Sequence, residues 1–91
     1  MPKEINEESV YILADKFINL ANEEMKEDNS GAVGVALRYA AARYSSFEAT
    51  LSTDDLARDK EKIIKGFLDD NHKMLTVNID EYIQRLSQKS E

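Results

Sequence analysis

"GVALRYAAARYSSFEA" runs from Gly34 to Ala49 and is the least polar stretch of an otherwise heavily charged chain. Val33, Ala36, Leu37, Ala40, Tyr44, Phe47 and Leu51 recur at the helical period and form one apolar stripe. The opposite side is not polar either, for it carries Val35, Tyr39, Ala42, Ser46 and Ala49. A helix apolar on two sides is central in a bundle or covered by a second chain. Gly34 and Ala41 add two small residues on which a neighbouring helix can approach closely. This stretch therefore predicts an all-α fold with a buried middle helix.

Working outward, each flank reads as helix. Asn6 is placed to cap a first helix. Ile5 and Val10 are spaced as a hydrophobic staple, and Glu7 and Glu8 complement the helix dipole. The stripe Val10, Leu13, Ala14, Phe17, Ile18, Leu20, Ala21 and Met25 follows. "EDNSG" at 27–31 is a loop, and Ser30 is the expected cap of the middle helix. "STDD" at 52–55 opens a third helix, with Ser52 or Thr53 as cap and a stripe through Leu56, Ile63, Ile64, Phe67, Leu68, Met74 and Leu75. Thr76 and Val77 weaken helix propensity, and "NIDE" at 78–81 resembles a further cap. The reading is a single domain over 1–91 with helices at about 7–26, 31–51, 54–76 and 79–87, and with "SQKSE" fraying.

The fold class expected is therefore all-α. It is a small antiparallel helical bundle of three main helices plus a short C-terminal helix, because short loops set sequential helices antiparallel. Its expected core comprises Leu13, Phe17, Ala21, Leu37, Ala40, Tyr44, Phe47, Ile63, Phe67 and Met74. On that reading Phe17→Ala and Phe47→Ala each cost about 3–5 kcal/mol. The C-terminal segment with Tyr82, Ile83 and Leu86 is expected to fold back over Val35, Tyr39 and Ala42. That leaves a chain that is mostly a monomer, with weak dimerisation around Tyr39.

Charge narrows the function classes. The 91 residues carry a formal net charge of −6, with 18 acidic and 12 basic side chains. The N-terminal 30 residues are the most acidic part, and no basic stripe exists to grip a phosphate backbone or an anionic membrane. Neither nucleic acid nor membrane is an expected partner. There is no cysteine, so disulfides, thiol catalysis and thiolate-bound metal are excluded. "MPKEINEES" is too polar for a secretory signal, and no apolar run approaches the ~20 residues of a membrane span. A cytoplasmic protein is the expectation.

No phosphate-binding glycine loop, nucleophile elbow or zinc motif is present. "SGAVG" precedes a helix but follows no strand. Asp69 and His72 share a helix face at i, i+3, yet two ligands do not make a metal site, and Glu23 or Glu24 would have to complete it. A solvated polar face is the simpler account. The sequence thus calls for no catalytic residue, metal or cofactor.

Arg38 and Arg43 remain to be explained, since neither has an acid three or four positions away. They project about 140° apart on the helix, so they do not serve one small site from one face. Acids on the flanking helices, such as Asp15, Glu23, Glu24, Asp59 and Asp70, are the expected counterparts, with water sharing the heads and the stems packed on apolar surface. Tyr39 lies beside Arg38, and tyrosine and arginine are enriched at contact hot spots. Arg38, Tyr39 and Arg43 are therefore the candidate interaction residues of a non-enzymatic module with an unknown protein partner. The alternative is a small-molecule-binding or weakly catalytic protein with an anion-accepting pocket near Arg38 or Arg43.

"ILADKFINLANE" at 12–23, "ALRYAAARYSSF" at 36–47 and "FLDDNHKMLTVNIDEYI" at 67–83 together resemble a bacterial domain-of-unknown-function family of short acidic helical proteins. The resemblance implies a small all-helical protein of a bacterial cytoplasm. It assigns no activity and no site residue.

Overall fold

The computed structural model describes residues 4–89. Three α-helices account for nearly all of them: α1 (Glu7–Glu27), α2 (Ala32–Ser52) and α3 (Leu56–Lys89). No strand occurs among the described residues. The chain divides at Tyr44/Ser45 into two units. The first holds α1 and the N-terminal part of α2, and the second holds the rest of α2 with α3.

In the first unit, Asn6 caps α1 by accepting the Ser9 amide at 2.8 Å, with Glu7 and Glu8 in the first turn. The expected staple is absent: Ile5 is 90% exposed and does not lie down on Val10. The Asp28 amide donates to the Glu24 carbonyl and ends α1. The Asp28 carboxylate then accepts the Ser30 amide, and the Ser30 hydroxyl accepts the Ala32 amide. Ser30 therefore shapes the turn, while Gly31 occupies the cap position with φ +98° and its carbonyl accepts the Val35 amide. Glycine is required there because a Cβ disfavours positive φ.

In the second unit the expected cap shifts by two or three residues. The Ser52 hydroxyl donates back to the Ala49 carbonyl, so Ser52 finishes α2 and does not begin α3. Thr53 accepts the Asp55 amide at 3.0 Å and donates to Asp59 at 2.6 Å. Asp55 is the acceptor that caps α3, taking the Arg58 amide at 3.0 Å. Carboxylates at this end also complement the dipole.

The short C-terminal helix does not exist as a separate element, because α3 runs unbroken for 34 residues. At the expected break, Thr76 donates its hydroxyl to the His72 carbonyl and Asn78 donates its amide to the Met74 carbonyl. Both side chains are engaged one turn back on their own helix, so neither is turned outward as a cap. The low propensity of two or three residues costs only tenths of a kcal/mol each, too little to break a helix anchored on both sides. α3 does not break at Asn78, so the segment with Tyr82, Ile83 and Leu86 continues the helix and does not turn back at the expected point. Ser87–Lys89 continue α3, and the rest of the expected frayed tail lies outside the described residues.

The expected core is not buried. Leu13, Phe17, Leu37, Ala40, Tyr44, Phe47, Phe67 and Met74 are exposed, Phe17 at 61%, and Ala21 and Ile63 are half-buried. The buried residue among those described is Ala49, 5% exposed, which belongs to the second face of α2. Each unit holds one whole helix and part of α2, and within a unit two helices cover at most one face of each other. In the second unit the small side chains Ser45 and Ala49 form the covered side of α2. Small residues let backbones approach, while Phe47 stays 55% exposed.

Candidate interaction surface

Arg38, Tyr39 and Arg43 all project from the part of α2 in the first unit. Tyr39 and Arg43, four apart, share a face with Val35, and Arg38 stands about 100° away from Tyr39. All three are exposed, Tyr39 at 65%. Neither guanidinium forms an ion pair or side-chain hydrogen bond among the described residues, so the expected pairing with acids on the flanking helices is not made. Of those acids, Glu23 is engaged locally with Lys26 at 3.1 Å and Asp59 with Arg58 at 2.9 Å. Both pairs join near neighbours, the first exposed and the second half-buried at Asp59, and surface pairs of this kind are worth little to stability.

Arg38 has a different local role. A Cβ built at Gly34 would lie 3.4 Å from its Nη1 and 4.0 Å from its Nη2. The side chain therefore lies back over the bare Cα of Gly34, one turn toward the helix N-terminus, as helical side chains lean. The space that the sequence assigned to a neighbouring helix at Gly34 is taken by the protein's own arginine. Arg43 has no such glycine beneath it.

Electrostatic perturbation concentrates at the two turns. The Arg58 guanidinium, and then the Thr53 hydroxyl, hold the Asp59 carboxyl below its ordinary value, and Arg58 is raised in return, chiefly by Asp59. Hydrogen bonds from Ser30 lower Asp28 in the same way. These carboxylates fix the geometry of their own turns. Among the described residues no group of three or more His, Cys, Asp or Glu side chains is placed to hold a metal ion. Asp69 accepts from Lys65 at 2.9 Å through one carboxylate oxygen.

The apolar surface of α3 in the second unit is only partly legible from sequence. At 100° per residue, α3 carries two stripes. Leu56, Ile63 and Phe67 form one, on the side that also bears the Asp59–Thr53 bond, and they are among its least exposed apolar residues. Ile64, Leu68, Leu75, Ile79 and Tyr82 form the other, rotated by about 100°. Leu68 is 62% exposed and Tyr82 60%. Arg85 stacks over Tyr82, 5.3 Å from the ring centroid, and also bonds Glu81. The seven-residue spacing of Leu68, Leu75 and Tyr82 was the available signal, and an expected break at 76–78 hid it. No helix among the described residues is long and apolar enough to cross a membrane.

No curated protein and no solved structure matched the chain. A family model described as a protein of unknown function, DUF3144, matches residues 10–83, a span that includes all three segments quoted for the resemblance. The chain belongs to the DUF3144 family.

Proposed function

We propose that this chain is a non-enzymatic interaction module whose helices complete an antiparallel bundle by docking on a protein partner in a cytoplasmic, bacterial setting. The observation that carries this reading is the exposure of apolar side chains in periodic stripes on all three helices, with Ala49 alone buried among the described residues. Side chains such as Phe17 and Leu68 are stabilised by leaving water, at about 25 cal/mol per Å². Contiguous apolar surface of this kind marks contact sites. Tyr39 and Arg43 are the polar-tipped residues at its margin on α2. The test is retention of a partner by the immobilised chain, compared with a Leu75→Lys variant under identical conditions. A partner held by the natural sequence and released by the variant supports the reading. A strictly monomeric chain that retains nothing overturns it.

One observation favours the alternative, an anion-accepting site near Arg38 or Arg43: both guanidinium groups are without an ion pair among the described residues. Thermal-shift measurement with anionic metabolites separates the two. A stabilisation lost in Arg43→Gln or Arg38→Gln supports the anion site, and no shift with any of them rejects it.

A further inference from the structure

We infer that the partner is a second copy of this chain, docked antiparallel along the exposed stripe of α3; this rests on the interaction reading above and names its occupant. The first support is area. Ile64, Leu68, Leu75, Ile79 and Tyr82 are each about half exposed. Such side chains offer on the order of 600 Å² per copy, so a pair buries about 1,200 Å², the lower bound of a stable interface. The helix is 34 residues long, or about 51 Å, so it outreaches the 21-residue α1 and α2 at about 31 Å. Neither can lie along all of it.

The second support is self-complementarity. A two-fold contact requires that if residue i meets j, then j meets i. In α3 the stripe reads the same from both directions about the point between Asn71 and His72. With two copies antiparallel around that point, Ile64 comes level with the partner's Ile79, and Leu68 with the partner's Leu75. At each end Tyr82 comes level with the partner's Glu61, whose carboxylate its hydroxyl can donate to. A foreign helix has no need of such a palindrome. A two-fold dimer needs a patch complementary to itself, and this palindrome supplies one.

The third support is charge. Between Ile64 and Ile79 the stripe itself carries no charged residue, so the pairing sets no like charges against each other despite the net charge of −6 on each copy. Its polar members, Asn71 and His72, fall at the centre, where a single polar layer fixes register and direction.

Sedimentation equilibrium of the full chain at physiological salt, from micromolar to hundreds of micromolar, tests the inference. The expected result is a weight-average mass rising toward twice that of the monomer. Leu68→Lys and Leu75→Lys should hold it at the monomer value with helical circular dichroism retained. Val77→Lys, on the far side of α3, should leave the dimer intact. Because a lysine variant can fail to fold, a second arm uses the absence of cysteine. A short bismaleimide should cross-link Asn71→Cys to its copy and leave Val77→Cys unlinked. A chain that is monomeric throughout overturns the inference, as does a dimer that survives Leu75→Lys or cross-links through Val77→Cys. If the monomer still retains a different protein through Leu75, the interaction reading stands and the second copy is wrong. If it retains nothing, both fall.

Discussion

Replacing Asp55 by alanine isolates the cap that the structure assigns to α3. The Asp55 carboxylate accepts the Arg58 amide at 3.0 Å. Loss of an N-cap acceptor costs about 1 kcal/mol, within a range of ~0.5–2. Asparagine keeps an acceptor in the same place, so Asp55→Asn should cost only a few tenths of a kcal/mol. Ser52→Ala should be nearly neutral, because the Ser52 hydroxyl donates to the Ala49 carbonyl and caps nothing in α3. Urea melts followed by circular dichroism resolve these differences. In a chain of this size ~1 kcal/mol moves the thermal midpoint by about 4–8 °C. If Asp55→Ala melts with the natural protein while Ser52→Ala loses the stability, α3 begins where the sequence alone placed it. If asparagine is as damaging as alanine, Asp55 acts through its charge and the capping argument is wrong.

Gly31→Ala should destabilise by about 1–2 kcal/mol, because φ +98° forces an L side chain into a disfavoured conformation even though the space is open. Gly66→Ala, in the open middle of α3, should instead stabilise by about 0.5–1 kcal/mol, and the two melts compared in urea check the pair. Ala49→Leu should cost about 1–3 kcal/mol by overpacking, whereas Phe17→Ala should cost about 1 kcal/mol or less in the dilute chain, reversing the order expected from the apolar stripes. Asp59 is held below its ordinary carboxyl value, so its contribution is fully present above the unfolded pKa near ~3.9 and is lost as pH falls through the lower folded value. An acid titration of the thermal midpoint should therefore fall less steeply below pH ~4 in Thr53→Val and Arg58→Gln, which remove the two donors; unchanged curves for both would show that Asp59 does not couple to folding.

What the sequence by itself determined was the set of helices and the character of their surfaces. Asn6 is a cap because its side chain reaches the Ser9 amide, a bond three residues long that depends on nothing distant. The period of Val10, Leu13 and Phe17 specifies helix for the same local reason. Turn details needed the structure even at short range: Ser30, Ser52 and Thr53 each have several backbone partners within reach, and geometry selected one. The continuity of α3 also had to be seen. Thr76 and Asn78 bond backward as readily as they cap, and only the helix on both sides decided between those uses. The burial of the stripes was least legible of all. Periodicity says that a face is apolar, and it is silent on which atoms cover it. Ala49 is buried while Phe17, Phe47 and Leu68 are not, although all four lie on apolar helix faces. Arg38 follows the same division: its charge and its lack of a local acid are sequence facts, but its position over Gly34 is a property of the folded helix.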